Sequence, residues 1–91
     1  MRLAAEWMTG ADDRILEFLN EEGPTAPKAM ADDWRIRFSR TYVNTRCKKL
    51  AVYGLVQNLG NGVYSITEQG EAYLAGDMDA DDLEPAHEDD R

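Results

Sequence analysis

The side chains that most often carry enzymatic chemistry are scarce in this sequence. It has one histidine, His87, and one cysteine, Cys47, so they cannot form a zinc site of the usual kind, and a serine–histidine–acid triad is disfavoured. The adjacent acids Asp12 and Asp13 follow Thr9 at the spacing of a helix capping box, where carboxylates bind backbone N–H groups and suit the helix dipole. The sequence therefore predicts a protein that is not an enzyme and that holds no metal ion or cofactor.

A second set of side chains has the chemistry of nucleic-acid binding. Ser39 is a suitable N-cap for a helix from Arg40 to about Tyr53, in which Val43, Cys47 and Leu50 share a buried face at 100° per residue. The opposite face and its edges offer hydroxyls, an amide and cations, the groups that bond base edges and phosphates. These residues are Arg40, Thr41, Tyr42, Asn44, Thr45, Lys48 and Lys49.

The distribution of charge supports this interpretation. Residues 34–67 contain six bases and no acid, whereas residues 77–91 contain eight acids and one base. The net charge of -8 therefore belongs mainly to a tail, and the rest is a nearly neutral domain with a basic middle. Ordinary protein surfaces mix both signs, so an acid-free basic stretch favours an anionic partner, with nucleic acid the first candidate.

The elements before this helix are predicted to support it. Helix 1 starts at Thr9, has an apolar stripe at helical spacing and ends at Gly23-Pro24. Helix 2 starts at Thr25 and is short, with Ala29 and Met30 facing inward. Residues 34–38 alternate apolar and basic side chains, which predicts an extended segment with Trp34, Ile36 and Phe38 inward.

The elements after this helix are predicted to be a hairpin, a last helix and a tail. Residues 55–59 and 63–66 read as short strands around Gly60-Asn61-Gly62, a strong tight-turn signal. This loop is not a phosphate-cradling loop, because no helix follows it directly. Thr67 caps a final helix to Ala75, and residues 77–91 have so few large apolar side chains that we expect disorder.

Length and composition place the chain among small globular proteins. Its 91 residues suit one domain, and 43% of them are hydrophobic, a normal fraction for a globular chain. No apolar run is long enough for a membrane span, and the first eight residues do not resemble a secretory signal. A single cysteine fits a reducing compartment, so we expect a cytoplasmic protein without membrane association.

The order of these elements resembles that of a known family. The segments that carry the resemblance are Ala11–Leu19 (ADDRILEFL), Ser39–Leu50 (SRTYVNTRCKKL), Tyr53–Val56 (YGLV) and Gly62–Leu74 (GVYSITEQGEAYL). Together they resemble small winged helix-turn-helix regulators, and most closely the haloarchaeal phage-repressor-like proteins. The implied fold class is α+β and mostly helical, with three helices, a short two-stranded wing and a C-terminal helix. The domain would span residues 9–76, between an N-terminal extension (1–8) and a disordered acidic tail (77–91).

The resemblance implies sequence-specific binding of double-stranded DNA and control of transcription, with repression the expected sign. Its recognition-helix positions fall on Arg40, Thr41, Tyr42, Asn44, Thr45 and Lys48. Lys28, Arg35, Arg37 and Asn61 are candidate phosphate contacts beside that helix. The resemblance also implies a salt-loving archaeal cytoplasm, with which ten Asp, eight Glu and three Lys agree. No small-molecule effector is indicated.

We expect the working form to be a homodimer, since a single module of this size covers little DNA. Residues 3–8 have apolar side chains four apart, which suits a helix with one apolar side. The candidate interface residues are Leu3, Trp7 and Met8, with Tyr73 and Leu74 of the last helix. The alternative is a monomer in which Trp7 and Met8 fold back onto helix 1.

Two other functions remain open from the sequence. Winged helices also serve as protein-interaction modules, so the basic face would then meet an acidic protein partner. An RNA-binding module is the weaker hypothesis of the two, because no exposed aromatic platform is evident in the sequence.

Overall fold

The computed structural model describes residues 1–85. Within this range the chain forms the elements predicted for a winged helix, in the predicted order. These are α1 (Gly10–Glu22), α2 (Pro27–Ala31), α3 (Arg40–Val52), β1 (Val56–Gly60), β2 (Val63–Ile66) and α4 (Glu68–Ala75), followed by a 3₁₀ turn, Ala80–Asp82.

Short polar side chains start the three longer helices, as predicted. The backbone N–H of Thr9 donates to Asp12 Oδ2 at 2.9 Å, which is the acidic half of a capping box on α1. Ser39 Oγ accepts from the third residue of α3 at 3.1 Å, and Thr67 Oγ accepts from Gly70 N–H at 3.2 Å. These bonds satisfy N–H groups that a helix cannot pair internally, so local sequence defines where each helix begins.

The core lies between α1, α3, α4 and the hairpin. The predicted stripe of α3 is fully buried, and Cys47 is one of its members. Each aliphatic side chain of this size contributes about 1.5–3 kcal/mol when it is buried. The largest fully buried side chains are Tyr73, Ile15, Leu16, Leu19, Met30, Ile36, Leu50 and Leu55.

The hairpin is antiparallel, with Val56 opposite Ile66 and Gly60 opposite Val63. It is anchored to the start of α2, because Thr25 and Tyr64 exchange backbone hydrogen bonds of 2.9 and 3.1 Å. Thr25 therefore pairs with the wing and does not start helix 2, contrary to prediction. Ala26 occupies the N-cap position instead, and Pro27 follows it in the first turn, where a proline does not remove a helical N–H bond.

The segment between α2 and α3 is a turn, and the predicted extended strand is wrong. Asp33 accepts the backbone N–H of Arg35 at 2.9 Å, which bends the chain, and Arg37 has a φ of 63°. Only Ile36 of the three predicted inward residues is fully buried, while Trp34 is 78% exposed. An alternating pattern needs a partner strand to bury one face, and the hairpin offers none here. Ala29 of α2 is likewise exposed, contrary to expectation.

The first residues and residues 78–83 pack together on the domain, so the predicted boundaries at residues 8 and 77 do not separate independent segments. Ala80 N–H donates to the Leu3 carbonyl at 2.8 Å, and Leu3 forms a parallel bridge with Asp79. Ala80 is fully buried, and Met78 and Leu83 pack against the core. The expectation of disorder is therefore wrong for residues 77–83, because their few apolar side chains are sufficient to dock a short segment. The rest of the predicted tail, residues 86–91, lies outside the described residues.

The predicted dimer contacts need correction as well. Residues 3–8 do not form a helix, and Tyr73 is fully buried in the core, so it is not available at an interface. Trp7 stacks on Tyr53 with ring centroids 4.4 Å apart. Trp7 therefore folds back onto the domain, as in the monomer alternative, but it packs against the end of α3 and not on helix 1. Met8 and Leu74 are partly buried against the core, whereas Leu3 is 45% exposed.

Residues 1–85 offer neither a membrane-spanning helix nor a cluster of metal-ligating side chains. No helix in this part of the chain is long and apolar enough to cross a membrane. No group of three or more histidine, cysteine or acidic side chains in it is arranged to hold a metal ion.

Candidate nucleic-acid interface

The outer face of α3 is open to solvent along its length. Arg40, Thr41, Thr45 and Lys48 are exposed, and Asn44 between them is partly exposed. Thr45 Oγ1 donates back to the Thr41 carbonyl at 3.0 Å, so that hydroxyl retains its lone pairs as acceptors. The predicted reading residues therefore share one accessible surface.

The fold places other predicted contacts beside this face. A groove of about 480 Å³ runs between the start of α2, the first turns of α3 and the tip of the hairpin. Among the described residues that line it there are two cations and no acid. Its lining residues are Ala26, Pro27, Lys28, Arg40, Thr41, Asn44, Asn61 and Gly62.

The side chains of Asn61 at the wing tip and of Lys28 in α2 are both accessible in this groove. Asn61 occupies the left-handed conformation with φ 56°, which a tight hairpin turn requires, and it is exposed. Lys28 Nζ lies 3.4 Å from Asp32 Oδ2, but both side chains are about 70% exposed. An exposed pair of this kind holds its partners weakly, so the ammonium group remains accessible to a phosphate.

Two predicted contact residues lie at the edge of the face and not on it. Tyr42 packs near Phe38, with ring centroids 5.4 Å apart, and its hydroxyl lies 3.4 Å from Thr9 Oγ1. Lys49 Nζ lies 5.5 Å from the centroid of the Tyr53 ring. Lys49 Nζ also lies 5.9 Å from the centroid of the Trp7 ring, so both partly buried side chains lie next to the N-terminal segment.

Arg35, a predicted phosphate contact, lies among acidic side chains. Its guanidinium donates to Asp33 at 2.9 Å and also lies 3.1 and 3.2 Å from carboxylates of Glu21 and Glu22. It sits 4.5 Å from the centroid of the Phe18 ring. The hydrogen bonds to Asp33 raise the pKa of Arg35 and lower the pKa of Asp33 to about 2. Arg35 is therefore ion-paired within the domain, whereas Arg37 is exposed.

Arg46 is one of the six bases of residues 34–67, but its side chain is largely buried. Its side chain donates to both oxygens of Asp12, at 2.8 and 2.7 Å, and Asp12 is fully buried. The hydrogen bonds from Arg46 to Asp12 raise the pKa of Arg46, although burial opposes this. The sequence contained one signal for this burial: helical spacing places Arg46 on the side of α3, between the buried stripe and the outer face. Of the six bases in residues 34–67, two are therefore paired with acids inside the domain.

Several acids of the domain line other grooves, although Asp32 lies beside Lys28 at the edge of the basic one. Glu17 and Glu21 of α1 line one groove with Arg2, and Glu68 and Glu71 of α4 line another with Asp82. The groove beside α3 is therefore lined by cations without acids, whereas these other grooves carry acids.

The three helices, the antiparallel wing and the open face of α3 together define a winged helix-turn-helix protein. Residues 1–86 match the family of the winged helix-turn-helix phage repressor, and the chain belongs to that family. It is 33% identical over 89 residues to a repressor protein of Halobacterium phage phiH, covering 94% of this chain and all of that one. The crystal structure of the PhiH1 repressor-like protein from Haloarcula marismortui superposes with a TM-score of 0.89. The two chains are 52% identical, and the match covers 93% of this chain and 97% of the other.

Proposed function

We propose that this protein is a sequence-specific double-stranded DNA-binding repressor of transcription, with α3 in the major groove. The observation that carries the proposal is the acid-free groove between α2, α3 and the wing tip. A duplex presents base edges in a groove flanked by two phosphate backbones. A face with central polar groups and flanking cations complements that pattern. The repressors among the relatives support the same function.

The roles of the side chains follow from their position and chemistry. Arg40 and Asn44 have the planar groups that bond guanine and adenine in a bidentate manner, and the exposed hydroxyls of Thr41 and Thr45 lie on the same face. Lys28 and Asn61 line the groove beside these residues, Lys48 is exposed on α3, and Arg37 is exposed in the turn before it. In this proposal all four bind phosphates. Lys49 and Tyr42 contribute only from the edge, because both contact the N-terminal segment.

The proposed setting is the cytoplasm of a salt-loving archaeon, as the haloarchaeal relatives suggest. Concentrated salt reduces the affinity gained from counterion release. Hydrogen bonds to bases then contribute a larger share of the binding free energy. This places more weight on Asn44, Thr41 and Thr45 than on the lysines.

The proposed working form is a homodimer that reads an inverted repeat, with half-sites about one helical turn apart. After the corrections above, Leu3 is the exposed residue that remains of the predicted interface. Trp34, in the turn between α2 and α3, and Leu59, in β1, are further large apolar side chains that are exposed, and Trp34 is the more exposed of the two at 78%. Light scattering of Leu3→Ser and Trp34→Ser proteins tests both surfaces. A particle of 10.3 kDa for the unmodified protein at millimolar concentration would remove the dimer proposal.

The function is tested by selecting bound duplexes from a random library at low and molar salt, followed by fluorescence anisotropy. We expect one enriched sequence, and we expect Asn44→Ala to weaken its binding by about 1–3 kcal/mol. Asn20→Ala is the matched control, because Asn20 is exposed on α1 in a groove that also contains Glu17 and Glu21.

The same assay includes RNA and an acidic protein as competitors. No enriched duplex, together with displacement by an acidic protein, would instead support the protein-interaction module. Equal effects of Asn44→Ala and Asn20→Ala would remove α3 from the proposed interface.

A further inference from the structure

Residues 7–12 contact one side of α3 over most of its length. Thr9 Oγ1 lies 3.4 Å from the Tyr42 hydroxyl in the first turn, and Asp12 binds Arg46 in the middle. Trp7 stacks on Tyr53 at the C-terminal end. We call this row of contacts the α3 seam. It joins the N-terminal segment to the helix that carries the proposed DNA-reading residues.

The Asp12–Arg46 pair is the most buried part of the α3 seam. Arg46 Nε donates to Asp12 Oδ1 at 2.8 Å and Nη2 donates to Oδ2 at 2.7 Å, which is a bidentate arrangement. The same Nη2 donates to the Trp7 carbonyl at 3.0 Å. Asp12 Oδ2 also accepts the Thr9 backbone N–H. The side chain of Asp12 is 0% exposed and that of Arg46 is 14% exposed.

Such a pair specifies geometry more than it adds stability. Desolvation of two charges offsets most of their attraction, so a buried ion pair is weak support for a stabilising role. The planar guanidinium fork, however, allows one orientation against a carboxylate. Because Asp12 is held by the α1 cap as well, the pair fixes the rotation of α3 relative to α1. Water and salt reach it poorly, so high ionic strength screens it little.

The rotation of α3 matters for base reading because hydrogen bonds tolerate little displacement. The side chains of a helix lie about 5–6 Å from its axis, so a rotation of ~15° moves their tips by ~1.5 Å. Donor–acceptor distances in good hydrogen bonds vary over only about 0.5 Å. A phosphate contact from a flexible lysine adapts to such a movement, whereas a bidentate contact from Asn44 or Arg40 does not.

We propose that Asp12 and Arg46 are positioning residues that set the rotation of α3 and thereby determine sequence specificity without touching DNA. This inference rests on the proposed function. It predicts that loss of the pair lowers the ratio of specific to non-specific affinity, while non-specific affinity stays almost unchanged.

The test uses the full chain with Arg46→Lys and Asp12→Asn, separately and together. Arg46→Lys keeps the charge but lacks the bidentate fork, and Asp12→Asn removes the charge with little change of shape. We expect each variant to reduce the ratio of specific to non-specific affinity at least about tenfold, which corresponds to the loss of one bidentate base contact. We expect the non-specific affinity to change less than about twofold. The double variant should be no worse than the poorer single one, since both break the same contact.

Tyr73→Phe is the stability control, because it removes a partly buried hydrogen bond between α4 and α1 without touching the α3 seam. Comparison is made at matched unfolding free energy, adjusted with urea below the transition. An equal loss of specificity in Tyr73→Phe would show that general destabilisation is the cause and would overturn the proposal. An unchanged specificity ratio in Arg46→Lys and Asp12→Asn would overturn it equally.

A second readout does not need DNA. Residual dipolar couplings of the amides report the angle between α1 and α3 in the folded protein. We expect a changed α3 orientation in Arg46→Lys and an unchanged one in Tyr73→Phe; an unchanged orientation in both overturns the positioning role. If the unmodified protein prefers no duplex sequence, the proposed function fails, and these couplings still decide whether the pair positions α3.

Discussion

The hydroxyl of Tyr73 in α4 donates to Asp13 Oδ1 in the first turn of α1 at 2.6 Å. The same carboxylate lies 3.7 Å from Arg2 Nη1, and Arg2 Nε donates to the Leu74 carbonyl at 3.0 Å. The two helices and the N-terminal segment therefore meet at one polar junction above the core. This junction explains why a residue expected at a dimer surface is fully buried.

Replacing Tyr73 by phenylalanine should lower the free energy of unfolding by about 1 kcal/mol. A hydrogen bond to a charged acceptor contributes about 1.5–3 kcal/mol, but Asp13 is 37% exposed and water compensates part of the loss. Urea unfolding followed by circular dichroism measures the change. Tyr53→Phe is the control, because the Tyr53 hydroxyl has no hydrogen bond among the described contacts. An equal effect of both substitutions would contradict the assigned role of the junction.

Removal of residues 77–91 should destabilise the fold more than removal of residues 86–91, which leaves the docked segment in place. The longer deletion exposes the surface covered by Ala80, Met78 and Leu83 and leaves the Leu3 carbonyl without its partner. Uncovering this apolar surface should cost about 2–4 kcal/mol. Thermal unfolding of both truncated proteins beside the full chain measures it. Equal melting temperatures for all three would mean that the segment does not dock in solution.

Stability should be constant from pH 7 to about 8.5 and should fall at higher pH. Burial raises the pKa of the Cys47 thiol from 9.0 to about 12 and also raises the pKa of Tyr73 and Tyr64. The unfolded chain then loses these protons at lower pH than the folded chain. The free energy of unfolding therefore decreases by up to about 1.4 kcal/mol per pH unit and group. Urea titrations between pH 7 and 11 measure this slope, and Cys47→Ala should reduce it between pH 9 and 11.

The Cys47 thiol should react with a disulfide reagent at pH 8 only as fast as the protein opens. The thiolate is the nucleophile, and both full burial and the raised pKa keep its population low. We expect at least about a hundredfold faster reaction in 6 M urea, on the scale set by opening equilibria. Rapid reaction of the folded protein would show that α3 detaches easily from the core.

Lys48→Ala and Arg35→Ala should differ in their effect on DNA binding, although both remove one positive charge. Lys48→Ala should weaken binding to all duplexes and reduce the slope of log affinity against log salt by about 1, because one phosphate contact is lost. Arg35→Ala should leave the slope unchanged, since its charge is already surrounded by Asp33, Glu21 and Glu22. Anisotropy titrations between 0.1 and 1 M salt distinguish the two. A lower slope for Arg35→Ala would show that DNA displaces its acidic partners.

The sequence was sufficient to predict the three longer helices, the hairpin and the outer face of α3. Thr9, Ser39 and Thr67 start their helices through bonds to residues three positions away, so the signal lies within a few letters. The stripe of α3 follows from its 3.6-residue period, and the hairpin from its turn residues. The outer face of α3 then follows by geometry, because a helix whose buried stripe is known has a known opposite side.

The tertiary structure decided which charges are free and which apolar residues are covered. Arg46 lies 34 positions from Asp12 in the sequence, and Tyr73 lies 60 positions from Asp13, so no local sequence pattern predicts either contact. The same holds for Ala80, which is buried by the first residues of the chain, and for Trp34, which lacks the strand that its alternating pattern suggested. Local propensity depends on neighbours in sequence, whereas desolvation and ion pairing depend on neighbours in space. For this reason the sequence alone determined the winged-helix elements, and only the fold selected the cations that remain available to a nucleic acid.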